Sequence, residues 1–329
     1  MKALPLHVVL ISIATLSTGC MVGGTVRPTA TPSQADIASL WEAPDNITAR
    51  DLFYGAGGQS RAPGDGAAFA FVREDTGGYS RGYDVRGPDG MEWSVKLGPE
   101  AQTEVATSRI LWALGYHQPQ TYYLSTWTMT GGSAGAPAGA QQPAQFRPRL
   151  PDWMLEGDWD WYENDFVETQ PFKGLIVANV LLNNWDWKAS NNKIYATGGA
   201  DGVPARRIFV VQDLGASLGK TAYPRLLGWL PTQYIKQGSR NNLEDFEAQG
   251  FIEGAEGDRV EFDYRGIHPS LLEHVTPKDV AWTARLMSRL SDDQWRDVFR
   301  AAGYAQDQGA RYIAKIKSKI AEGLALDRQ

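Results

Sequence analysis

The 329-residue chain carries 32 Lys and Arg against 38 Asp and Glu, a formal net charge of −6, and one cysteine. The acidic excess disfavours nucleic acid and anionic membrane surfaces as partners, and a lone cysteine excludes an internal disulfide, so the fold must be held by its core. There is no internal repeat, no Cys/His metal cluster and no G-x-x-x-x-G-K-[ST] loop.

In chain order, residues 1–19 read as a secretory leader. Lys2 supplies the positive charge, and residues 6–16 form an apolar run too short to span a bilayer comfortably. Residues 16–20 spell L-S-T-G-C, which resembles a bacterial lipobox, with the leucine four rather than the commoner three residues before the cysteine. Cleavage there removes Lys2 and no acid, taking the net charge from −6 to −7. The reading expects Cys20 to be acylated and to tie the domain to the bacterial cell envelope by a lipid anchor rather than a spanning helix. Met21, where an aspartate is absent, points in that resemblance to the outer membrane. Residues 20–45, rich in Thr, Pro, Gly and Ser over 21–35, read as a flexible tether.

From residue 46 the pattern is β followed by α. Strands are predicted over 69–73, 83–86 and 91–97, the last two joined by a G-P-D-G turn. A helix over 100–114 ends at Gly115, and a further strand covers 122–126. Residues 129–150 read as a Gly/Ala/Pro-rich loop and connection. The tryptophan-rich run at 153–161 reads as packing, with carbohydrate stacking as the rival use. Residues 151–329 are mostly helical by pattern, at 174–182, 279–290, 292–302 and 310–324, interrupted by a hairpin at 193–195 and 207–212. His117, His268 and His274 read as fold or surface histidines. The predicted class is α+β, a small β-rich half before a larger, mainly helical one.

Two motifs carry chemistry. Residues 186–191 read D-x-K-x-x-N (Asp186, Lys188, Asn191), and Asp213-Leu214-Gly215 follows the apolar run 208–211. Transfer of a phosphoryl group to a hydroxyl needs a carboxylate beside the acceptor and oxygen donors that hold a divalent cation against the donor phosphates. Upstream, Lys96 stands near a strand end and Glu104 eight residues later in a helix, with Glu100 as a rival partner. Residues 76–82, with Gly78 and Gly82, form a glycine-rich turn whose N–H groups suit phosphate, or an ordinary hairpin turn.

Together these motifs resemble the protein-kinase-like fold, in its atypical HipA-type and secretory-type branches. The usual His-Arg before the catalytic aspartate is replaced by Asn184-Trp185, and Leu214 takes the place of a phenylalanine. The resemblance implies a two-lobed fold over roughly residues 65–325. It implies that Asp186 orients the acceptor and Lys188 offsets the transferred charge. Asn191 (or Asn192, one residue along) and Asp213 hold Mg²⁺ or Mn²⁺. Lys96, positioned by Glu104, and Gly78 and Gly82 bind ATP or another nucleotide. The expected reaction is Mg-dependent phosphoryl transfer to an unidentified hydroxyl acceptor. An exported domain meets little ATP, so a non-catalytic kinase-like binding module at the envelope is the alternative, and a structural lipoprotein with coincidental motifs is a third reading.

Overall fold

The computed structural model describes residues 25–77, 80–198, 205–222 and 238–328. The expected leader, Cys20, Met21 and Gly78 lie outside these residues. Among the described residues no helix is long and apolar enough to cross a membrane.

The described chain opens with β1 (Arg27–Pro28) and α1 (Gln34–Leu40). This corrects the tether expectation for its second half. Ser33 and Asp36 form a reciprocal capping box that starts the helix, and Leu40 at its end is buried. The Thr/Pro/Ser composition suggests flexibility, yet Ser33 is there as a cap.

Six strands and a helix follow: β2 (Ala68–Asp75), β3 (Gly82–Arg86), β4 (Glu92–Leu97), α2 (Glu100–Ala113), β5 (Tyr122–Leu124), β6 (Trp127–Thr130) and β7 (Gly139–Gln141), and β8 (Ala144–Pro148) completes the sheet. Its order is β5-β8-β4-β3-β2-β6-β7, antiparallel except where β2 meets β6. The strand alternation sends Trp93 and Val95 of β4 and Phe146 of β8 into one aromatic core with Phe69, Tyr83 and Trp127. β6 and β8 are four strand spacings apart, about 19 Å in a flat sheet. The Trp127 and Phe146 rings are nonetheless 5.1 Å apart, so the sheet curls around that core. The Gly/Ala/Pro-rich stretch is thus partly sheet rather than loop. β7 pairs with β6, and β8 pairs with both β4 and β5. Small residues at 139 and 140 carry little intrinsic strand signal, and ladder pairing overrides it.

All of α2 except Gln102 and Trp112 is buried. One side meets β4, β5 and β8, and the other meets the turn after Asp213 and a later helix. A helix covered on two sides shows no single apolar stripe.

The rest of the chain is less purely helical than expected. β9 (Trp153–Asp158) precedes β10 (Glu163–Asn164), which pairs in parallel with β1. α3 (Gln170–Leu181) begins at the Thr169 cap with Pro171 in its first turn. β11 (Asn192–Thr197) and β12 (Arg206–Val211) form the expected hairpin, and β9 adds to it in the order β12-β11-β9. α4 (Leu243–Ala248) leads to a hairpin of β13 (Ile252–Glu256) and β14 (Arg259–Phe262). α5 (Pro277–Ser288), α6 (Asp292–Ala301) and α7 (Gln306–Ala325) close the chain, the first two started by capping boxes at Thr276 and Ser291. The second core gathers around α3, where Trp161 lies 4.7 Å from both Trp159 and Trp187, ring to ring. The tryptophan run therefore packs.

Candidate active site

Lys96 points out of the curled sheet at the end of β4, into the space between that sheet and the β11–β12 hairpin. Its Nζ donates to Glu104 Oε2 at 2.7 Å and to Asp213 Oδ1 at 2.6 Å, and stands 3.9 Å from Glu100 Oε2. α2 starts four residues after Lys96, so Glu104 on its second turn faces back to β4. Glu100, the rival partner, is engaged by Arg240 and Ser80 instead. Burial alone would push the Lys96 ammonium down, but the carboxylates of Glu104 and Asp213 outweigh it and hold the pKa above the ordinary lysine value.

The hairpin brings the other two positions together. The register sets Asn192 opposite Val211, and the Gln212 N–H donates to the Asn191 carbonyl at 3.0 Å. Asn191 and Asp213 therefore flank one end of the ladder and line one cavity of about 240 Å³ with Lys96, Glu104 and Gly82. Asn192 points elsewhere; its Nδ2 binds the Trp159 carbonyl. Asp213 sits in the left-handed region at φ 55°. A non-glycine residue held there marks a locally constrained backbone. Burial raises its pKa, but Lys96 first, then Lys188 and Arg147, bring it below the usual carboxylate range.

Gly215 has a different task from the one its place in the motif suggests. It is not at positive φ; a Cβ there would stand 2.6 Å from Glu100 Cβ, and its carbonyl accepts from Thr103 Oγ1 at 2.9 Å. The glycine lets the turn after Asp213 press against α2. Gly82 is likewise fixed by close approach, since a Cβ would lie 2.6 Å from the Val95 carbonyl oxygen. Arg81 stacks over Tyr83 and lines a neighbouring cavity rather than this one.

The loop of Asp186 is tied to the loop after Asp213 by backbone bonds, from Trp185 N to Ala216 O (3.3 Å) and from Leu218 N to Leu182 O (2.9 Å). Buried Asn184 donates to Asn179 Oδ1 at 2.8 Å and accepts from the Asp186 N–H at 3.4 Å. Asn191 Nδ2 donates to the Asp186 carbonyl at 2.9 Å. Lys188 Nζ lies 3.2 Å from Asp186 Oδ2. Burial raises the Asp186 pKa, Lys188 opposes it, and the charge on Asp213 adds to the rise, so the two carboxylates are within electrostatic reach.

The donor set suits a hard divalent cation. Asp213 engages Lys96 through Oδ1, and Asn191 uses its Nδ2 on the Asp186 carbonyl, so Asp213 Oδ2 and Asn191 Oδ1 are the oxygens that could hold a cation. Among the described residues no cluster of three or more His, Cys, Asp or Glu forms a ready metal cage. Two protein oxygens completed by phosphate and water fit Mg²⁺ or Mn²⁺ better than a structural metal.

Sequence reading missed Gln145, Arg147, Lys193 and Gln212 in the cavity wall. A signal is present in the sequence, since residues 144–148 read A-Q-F-R-P with strict alternation, masked by the Gly/Ala/Pro-rich composition before them.

No family model and no curated protein matches the chain. Among solved structures it is similar to the proinflammatory kinase CtkA of Helicobacter pylori, at 14 % identity and a TM-score of 0.45, covering 79 % of this chain and 97 % of that one. At that TM-score the likeness carries no weight for function.

Proposed function

We propose that this chain is an atypical kinase-like phosphotransferase with a two-lobed fold, the curled sheet and α2 forming one lobe and the remainder the other. Its reaction is divalent-cation-dependent transfer of a terminal phosphoryl group from a nucleotide donor to a hydroxyl. One observation carries the reading: Lys96 meets Glu104 and Asp213, 117 positions away from Asp213 in the chain, on a cavity that Asn191 also lines.

In this reading Asn191 and Asp213 hold Mg²⁺ or Mn²⁺, which supplies charge neutralisation at the donor phosphates when bound. Lys96 binds the donor phosphates, and Glu104 keeps its ammonium in place when Asp213 turns to the cation. Asp186, its proton affinity raised by burial, accepts the hydrogen of the acceptor hydroxyl. The acceptor oxygen forms a bond to phosphorus as the bridging oxygen leaves with the rest of the donor. Lys188 beside Asp186 offsets the charge on the moving group. Gly82 keeps β3 close against β4, and Gly78 joins it in the proposal as a nucleotide-binding residue. Acylation at Cys20 and attachment to the outer membrane belong to the proposal.

The test is transfer of labelled γ-phosphate from ATP to a panel of protein, sugar and lipid hydroxyls, with Mg²⁺ or Mn²⁺. Asp186→Asn is expected to lower turnover by roughly 10²–10⁴-fold while nucleotide binding persists. Binding without turnover on any acceptor would favour the binding-module reading. No binding at all would remove the proposal.

A further inference from the structure

The walls of the cavity say what kind of donor it can read. β4 and β8 are antiparallel neighbours, with Ser94 opposite Arg147 and Lys96 opposite Gln145. The pleat sends their apolar side chains, Trp93 and Val95, Ala144 and Phe146, into the aromatic core behind the sheet. The face turned to the cavity is thus Ser94, Lys96, Gln145 and Arg147. Across from it stand Ser190, Lys193 and Gln212. Arg147 Nη1 crosses the gap to Gln212 Oε1 at 2.8 Å, and Gln212 is held by the Tyr195 hydroxyl at 2.6 Å. Lys193 is tied to Asp158 Oδ1 at 2.6 Å.

A flat nucleobase seeks apolar plates above and below it, and small-molecule sites are mostly apolar with a few polar groups. Here the plates are polar among the described residues, and the cavity, at about 240 Å³, is smaller than the roughly 300–1,000 Å³ of drug-sized sites. What it offers to phosphate is Lys96, Arg147 and Lys193, set among the carboxylates of Asp75, Glu104 and Asp213. Lys96 and Lys193 are held by carboxylates, whereas Arg147 is held by an amide oxygen and can grip phosphate oxygens by its fork. Arg147 lines the same cavity as Asn191 and Asp213, which places its guanidinium beside the candidate cation site.

We propose that this site selects its donor by the phosphate chain and not by the base, with Arg147 as the specificity-determining cation. Any Mg²⁺-bound triphosphate, nucleoside or inorganic, then serves as ligand. The inference rests on the phosphotransferase reading and narrows its donor class.

The test is thermal stabilisation of the full chain in Mg²⁺ by ATP, GTP, inorganic tripolyphosphate and adenosine, with affinities by titration calorimetry. The expected result is similar affinity for ATP, GTP and tripolyphosphate, no shift with adenosine, and a loss of about tenfold for all three in Arg147→Ala. Arg147→Lys should recover part of that loss. Strong stabilisation by adenosine, or by ATP and not by tripolyphosphate, overturns the inference and leaves the phosphotransferase reading standing. Arg147→Ala with unchanged unliganded melting and unchanged affinities also overturns it. If that variant does not fold, the four wild-type ligands still decide. No response to any of the four overturns both readings.

Discussion

Lys96 and Lys319 are two semi-buried or buried lysines with opposite electrostatics. Lys96 lies between two carboxylates and its pKa is raised; Asp213 beside it is lowered. A raised lysine stabilises the fold fully below its unfolded pKa and loses that only as pH climbs through the raised value. A lowered aspartate stabilises above its unfolded pKa and loses that as pH falls through the lowered value. The pair should therefore be insensitive to pH across the neutral range. Lys319 on α7 is fully buried, donating to the Leu181 carbonyl at 3.1 Å and Asn183 Oδ1 at 2.7 Å, with the Phe246 ring 4.6 Å from Nζ. Burial, aided by Lys315 and opposed by Glu322 and Asp263, brings its pKa down to about 7. Its unfolded value is about 10.4. Between those values the unfolded chain binds the extra proton, so stability rises with pH, by about 2 kcal/mol from pH 7 to 9. Urea unfolding at the two pH values should show this gain in the wild type and a flatter profile in Lys319→Met. An equal gain in both would contradict the assignment.

At the scale of elements, helices with caps and strands with turns between them were legible. The three terminal helices, the β11–β12 hairpin and α2 lie within a few residues of the sequence reading; α5 and α6 combine an amphipathic pattern with a capping box, and α2 has its stop at Gly115. α1, β7 and β8 were not, because their residues are small or polar and the reading took composition for flexibility. The ladder pairing of β7 and β8 is long-range, although the Ser33–Asp36 capping box of α1 and the alternation at 144–148 are local signals. The gathering of Lys96, Glu104, Asn191 and Asp213 is what the kinase-like resemblance of their motifs implies; Gln145 and Arg147 escaped because β8 did. Two predictions follow from these elements. Leu40→Ala should cost about 2–5 kcal/mol in equilibrium unfolding, whereas an unchanged midpoint would return residues 34–40 to a tether. Trp161→Ala, which empties the meeting point of Trp159 and Trp187, should cost about 3–5 kcal/mol by the same measurement, and a neutral result would contradict its packing role.

For the whole molecule, the proposed function depends on the curled sheet and the β11–β12 hairpin lining one cavity. The aromatic core fixes β4 and β8, the tryptophan core fixes α3 and the hairpin, and α2 is buried between the sheet and the turn after Asp213. That arrangement lets a lysine on the sheet contact an aspartate on the hairpin, and it gives the turn after Asp213 its need for glycine at 215. Gly215→Ala should push that turn off α2, weaken Mg²⁺-nucleotide binding and lower the melting temperature together. A variant that melts and binds as the wild type would show that the contact is slack. The most direct measurement is electron paramagnetic resonance of Mn²⁺ titrated into the protein with a non-hydrolysable ATP analogue. One Mn²⁺ bound per chain in the wild type, dependent on the analogue and lost in Asp213→Ala, is the expected result. Mn²⁺ that stays free with the wild type, or binds Asp213→Ala equally well, would contradict a cation-and-phosphate site built on Lys96, Asn191 and Asp213.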